Sequence, residues 1–173
     1  MSFSNLQLDT RELPRARDLT LNSLPEEYRR EIIVQSLITL GILTVISLIP
    51  QLIFVIDPLV RRWLLLIPTL VLALGGLITA LLLIRYRHKG YAMREHDIVF
   101  RAGLFWRKTT VLPFNRIQHA EVTHGPLQRR FGLATLKFFT AGGASVDLNI
   151  EGLRSADAEA LREDILLRSA NAR

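Results

Sequence analysis

The side chains that carry chemistry on their own are sparse in this chain. None of its 173 residues is cysteine, which removes thiolate nucleophiles, disulfides and cysteine-based metal sites together. One stretch gathers titratable groups, His119-Ala120-Glu121-Val122-Thr123-His124. Two histidines beside a carboxylate are the raw material of zinc binding or acid–base catalysis, but this order is not the helical H-E-x-x-H of zinc hydrolases. On a strand, His119 and Glu121 share a face while His124 falls beyond the strand end. The stretch therefore reads as a solvated strand edge, and we expect no catalytic residue, metal site, cofactor or small-molecule substrate.

Arginine offers a different chemistry. Arg129-Arg130-Phe131-Gly132 follows Gly125-Pro126, and clustered arginines beside an aromatic can bind phosphates and stack bases. A short turn of helix explains the same spacing, with Leu127 and Phe131 at i and i+4 plugging the core and both arginines outside. We prefer that reading and expect no nucleic acid. Arginine forks pair with carboxylates and often dominate binding energy, so Arg116, His119, Arg129 and Arg130 form a candidate interface for an acidic partner. A second basic group, Arg85, Arg87, Lys89 and Arg94, follows a long apolar run. An anionic leaflet attracts such residues by about 1 kcal/mol each, so they either contact the membrane surface or serve topology alone. From Arg85 onward, fifteen Lys and Arg face nine Asp and Glu, which favours an anionic surface as neighbour.

These groups need elements to position them, and the most informative elements are uncharged. Between Glu31 and Asp57 lie twenty-five residues without charge, and between Arg62 and Arg85 lie twenty-two more. At about 1.5 Å per helical residue, each run crosses a hydrocarbon core of roughly 30 Å. The spans fall at about residues 32–56 and 63–84. A signal peptide has a shorter apolar region without a long polar lead. A buried soluble helix would show a polar stripe that Ile42-Leu43-Thr44-Val45-Ile46 and Leu64-Leu65-Leu66-Ile67 lack.

Asp57-Pro58-Leu59-Val60-Arg61-Arg62 leaves room for a tight turn between the spans, giving an antiparallel hairpin within residues 23–86. Arg29 and Arg30 precede the first span and the Arg85 group follows the second, against Arg61 and Arg62 in the turn. By the positive-inside rule both termini are cytoplasmic, and Trp63 and Tyr86 bracket the second span at the interfaces. Pro50 and Pro68 should each kink a helix. With no ionisable group inside either span, transport by this chain alone is not expected. Ser23-Leu24-Pro25-Glu26 reads as a helix start with Ser23 as N-cap and Glu26 closing a capping box. Residues 1–22 form a polar N-terminal segment without clear period.

Beyond residue 86 the hydrophobic period changes. Ile98-Val99-Phe100, Thr109-Thr110-Val111-Leu112 and Leu136-Lys137-Phe138-Phe139-Thr140 are strand-like, and Val146, Leu148 and Ile150 alternate with polar neighbours. Glu95-His96-Asp97 and Ala141-Gly142-Gly143-Ala144 read as turns, and Gly103 as a bend or bulge. Ser155 to Ser169 reads as a helix with Ala158, Leu161 and Ile165 on one face. Residues 87–170 thus form a mainly-β domain of six or seven strands covered by one helix.

Three segments carry a resemblance: Gly90-Tyr91-Ala92-Met93-Arg94-Glu95, the run from Arg101 to His119, and Gly125-Pro126-Leu127-Gln128-Arg129-Arg130-Phe131-Gly132-Leu133-Ala134. In this order they resemble the YdbS-like bacterial membrane proteins, over nearly everything from about residue 30. The resemblance implies a transmembrane hairpin followed by a pleckstrin-homology-like (PH) half-open β-barrel with a C-terminal helical cap. It also implies a non-enzymatic, multi-pass protein of the bacterial inner membrane whose partner is a membrane protein with PH-like domains, or another copy of itself. We expect a scaffold or adaptor. The alternative is a module that senses anionic lipid at the bilayer surface, and fold alone does not choose between them.

Overall fold

The computed structural model describes residues 19–53, 57–104, 106–140 and 146–171. Helix α1 runs Glu26–Ile53, a short helix α2 runs Pro58–Leu64, and α3 runs Leu66–Arg87. Both long elements are apolar enough to cross a membrane. Leu37, Ile42, Val45, Leu70 and Ile78 stand exposed around them, a surface that suits hydrocarbon and would be costly in water. The two helices pack antiparallel, with Leu40 filling the space that Gly75 leaves: a Cβ built on Gly75 would lie 2.4 Å from Leu40 Cδ1. Small residues at helix contacts allow such close approach in membranes.

The link between the spans differs from a tight turn. Asp57 accepts a hydrogen bond from the Leu59 N–H at 2.8 Å and Pro58 occupies the first turn, so α2 starts there as a capped helix. The chain bends at Leu65, where α2 stops and α3 begins. Pro68 causes this, because it has no N–H to offer the Leu64 carbonyl four residues earlier. Gln51 of α1 supplies the missing donor, its Nε2 reaching Leu64 O at 3.2 Å.

The domain is two unclosed antiparallel sheets, which is the half-open barrel the resemblance implied. One has the order β1-β2-β3-β4, from Asn22–Ser23, Gly90–Met93, Asp97–Ala102 and Lys108–Pro113; the other has β5-β6-β7, from Ile117–Thr123, Leu133–Thr140 and Leu148–Arg154. Gly103 makes the bend between β3 and β4 with φ +118°, a conformation that favours glycine. Helix α4, Pro126–Arg130, bridges β5 and β6, and α5, Ser155–Asn171, covers the second sheet. Ala158 and Ile165 of α5 are fully buried with Phe114, Ile117, Leu136, Phe138 and Ile150. The buried Ser169 donates to Ile117 O at 2.9 Å and ties the end of α5 to β5.

Two further expectations are corrected. Ser23 is not an N-cap: it pairs in β1 opposite Gly90, and α1 begins at Glu26. A capping signal is local, and here a pairing across two membrane helices overrides it. Asn22 and Ser23 thereby add a short strand to the edge of the first sheet. Val146 is exposed, with only Leu148 and Ile150 of the alternating trio in the core. The Ala141–Ala144 turn and most of the N-terminal segment lie outside the described residues.

Candidate functional site

The residues with the densest polar contacts lie where the hairpin meets the domain. Tyr28, in the first turns of α1, donates its hydroxyl to Glu151 Oε2 of β7 at 3.2 Å and accepts from Lys89 Nζ at 3.0 Å. Lys89 reaches Glu151 directly at 3.1 Å and sits 5.2 Å from the centre of the Tyr28 ring, which adds a cation–π attraction. Tyr86, near the end of α3, shares its hydroxyl between Leu24 O at 2.9 Å and Pro25 O at 3.0 Å, and its ring meets Tyr28 edge-on. Glu27 pairs with Arg154 at 3.1 Å. Both membrane helices are thereby fastened to β7 and to the chain around β1.

Above this junction the second sheet turns its non-core face toward the hairpin. Glu121, Lys137 and Asn149 are neighbours across β5, β6 and β7, and Lys137 and Asn149, with Glu151, face α1 across a groove. Helix α4 flanks it. Gln128 holds α4 in place, accepting from the Gly125 N–H at 3.0 Å while its Nε2 donates to Thr135 Oγ1 at 3.2 Å. His124 closes the same corner, donating from Nδ1 to Leu133 O at 3.0 Å. Glu31 also lines the groove; it is buried, and its Oε2 meets no hydrogen-bond partner among the described residues.

The basic residues singled out by sequence divide. Arg85 and Arg87 are exposed at the end of α3 and form no ion pair among the described residues. Lys89 is 13% exposed and committed to Glu151. Arg94 pairs with Asp97 across the β2–β3 turn, and that carboxylate raises the guanidinium's already high pKa. Of the four, Arg85 and Arg87 are thus the two without an ion pair among the described residues. Arg116 and His119 sit at the start of β5, His119 with its ring tilted against Phe139. Arg129 and Arg130 lie on α4 past the other end of that strand. At about 3.3 Å per strand residue, roughly 20 Å separates the two pairs. The structure brings Arg129 and Arg130 together but not the four as one patch. Phe131 packs on the core as expected, whereas Leu127 lines the groove.

Elsewhere, burial raises the Tyr91 hydroxyl pKa, with Asp157 adding repulsion, and hydrogen bonds from Thr140, side chain first, hold the Asp147 carboxyl below its usual value. No group of three or more His, Asp or Glu suited to a metal ion occurs among the described residues. Glu31, Lys137, Glu151 and Gly152 were missed by sequence reasoning. Only Gly152 carried a local signal, since a lone glycine inside a strand marks a bulge or a close approach.

Three similarities to known proteins are found. A family model described as "Bacterial PH domain" matches residues 32–169. A Bacillus subtilis (strain 168) protein named UPF0699 transmembrane protein YdbS is 35% identical over 94 residues, covering 53% of this chain and 57% of that protein. The chain thus spans little more than half the length of this relative. A crystal structure of a DUF1696 family protein with a pleckstrin-homology domain from Shewanella loihica PV-4 is 16% identical, covering 47% of this chain and 70% of its own, with a TM-score of 0.38.

Proposed function

The chain belongs to the bacterial PH domain family and is a membrane protein, and from that premise we propose that it is a non-enzymatic adaptor of the bacterial inner membrane. It holds its domain in the cytoplasm for another membrane protein, either one with PH-like domains or a second copy of this chain. The observation that carries this reading is the fastening at Tyr28, Tyr86 and Lys89. A domain tied at both helices, and through β1, has one orientation relative to the bilayer, which is what an adaptor needs to meet a partner repeatedly in the same register. The cytoplasmic side follows from Arg29, Arg30, Arg85 and Arg87 flanking the hairpin. Arg129 and Arg130, exposed on α4, offer the partner charge at a fixed height.

The test uses the full chain. With Arg129→Glu and Arg130→Glu, crosslinking in native membranes should lose the co-purifying protein while the detergent thermal midpoint stays near that of the parent. Undiminished recovery would remove α4 as the interface and with it this adaptor reading. A second reading, an anionic-lipid-sensing surface, is favoured by one observation: α4 packs beside α1, near the point where α1 enters its uncharged run. On that reading the same variant loses affinity for anionic bilayers, and the parent's affinity falls as salt rises.

A further inference from the structure

Between hairpin and domain runs an open groove of about 1490 Å³. One wall is the apolar flank of α1 and α3, with Leu40, Leu74 and Ile78; the other is the polar face of the second sheet, with Lys137. A wholly apolar ligand would strip the polar wall of water without replacing its hydrogen bonds, and a wholly polar one would do nothing for the leucines. An amphiphile answers both walls, and the bilayer around the hairpin supplies phospholipids.

The headgroup chemistry is set by two side chains. Glu31 is only 6% exposed, and its Oε2 has no hydrogen-bond partner among the described residues. A buried carboxylate oxygen without a donor is costly, and a cationic N–H is the partner that answers both its charge and its lone pairs. The hydrogen bonds of Lys89 go to Glu151 and Tyr28 instead. Lys137 lines the groove and, although Glu121 stands opposite it on β5, makes no ion pair among the described residues, so its ammonium is open to an anionic group of a ligand. One amphiphile carries an ammonium next to a phosphate.

We propose that the groove holds a phospholipid with a primary ammonium headgroup, of the ethanolamine type. Its ammonium donates to Glu31, its phosphate accepts from Lys137, and its acyl chains lie along Leu40, Leu74 and Ile78. The site takes in Leu127 and Gln128 of α4 but neither Arg129 nor Arg130, the two residues offered to a protein partner. A choline headgroup has the same charge but no N–H to donate, and a glycerol headgroup brings no cation, so both are rejected.

The full chain, reconstituted in nanodiscs with equal parts phosphatidylethanolamine, phosphatidylcholine and phosphatidylglycerol, is released and its retained lipid read by native mass spectrometry. Ethanolamine lipid should exceed each of the others by roughly tenfold, the discrimination of one charge-assisted hydrogen bond. Glu31→Leu should erase the preference over choline lipid, and Lys137→Gln should weaken retention of all three. Equal retention of ethanolamine and choline lipid by the parent, a preference for glycerol lipid, a retained basic peptide in place of lipid, or an undiminished preference in Glu31→Leu would each overturn the proposal. Should Glu31→Leu fail to fold, the parent's selectivity decides alone.

Discussion

The ring of Tyr28 rests on the backbone of Gly152, so near that a Cβ built on the glycine would lie 2.2 Å from Tyr28 Cγ. Gly152 also holds φ +77°, where side chains other than glycine's are strained. Two independent demands therefore meet at one residue. They make the contact between a membrane helix and a sheet strand depend on the absence of a single methyl group.

Gly152→Ala should accordingly displace the Tyr28 ring and strain β7, costing about 1–3 kcal/mol. Thermal unfolding of the purified chain in detergent measures it. A variant as stable as the parent would mean that the ring and strand yield freely.

At the far end of the hairpin, Gln51 and Pro68 act on one carbonyl, that of Leu64. Gln51→Leu should destabilise the chain by about 0.5–2 kcal/mol by leaving that oxygen unpaired. Pro68→Ala restores the helical N–H, so in the double variant the loss of Gln51 should cost much less. Strictly additive unfolding energies would show that the two residues are uncoupled.

Lys89 and Arg87 are two residues apart, yet among the described residues only Lys89 forms an ion pair. Lys89→Gln should lower the thermal midpoint, since a partly buried pair and its hydroxyl bond together contribute about 1 kcal/mol. Arg87→Gln should leave the midpoint unchanged. Equal effects would return Lys89 to the set of simple flanking charges.

The orientation is open to labelling because the chain has no cysteine of its own. A cysteine replacing the exposed Leu59 of α2 should react in intact cells with a membrane-impermeant thiol reagent. One replacing the exposed Ala156 of α5 should react only after lysis. Reaction at position 156 without lysis would place the domain outside.

The hairpin was legible because long uncharged runs have few alternatives, and Leu148 and Ile150 were legible because strand alternation is local. Ala158 and Ile165 followed from helical spacing in the same way. The junction was not legible. Tyr28, Lys89 and Glu151 belong to three distant parts of the chain, and no local pattern states that they meet. Glu31 read as the last charge before a membrane span, whereas in the fold it lines one groove with Glu151 of the distant strand β7. Ser23 misled because its cap signature is genuine locally and loses to the β1–β2 pairing. Arg116 and Arg129 looked like one group because sequence distance says nothing about which end of β5 each occupies.

The short strand β1 lies before the first membrane helix and its partner β2 after the second. The ladder between Asn22 and Tyr91 therefore cannot close in a chain that has crossed the bilayer only once. A chain stalled after one crossing, or inserted with one span looped out, leaves Ser23 and Gly90 on opposite sides. The edge of β2 then stays bare, with its backbone N–H and C=O groups open to chaperones and proteases. Completion of the sheet therefore depends on both spans lying on the same course, so that the edge strand of the domain reports on the hairpin that separates its two halves.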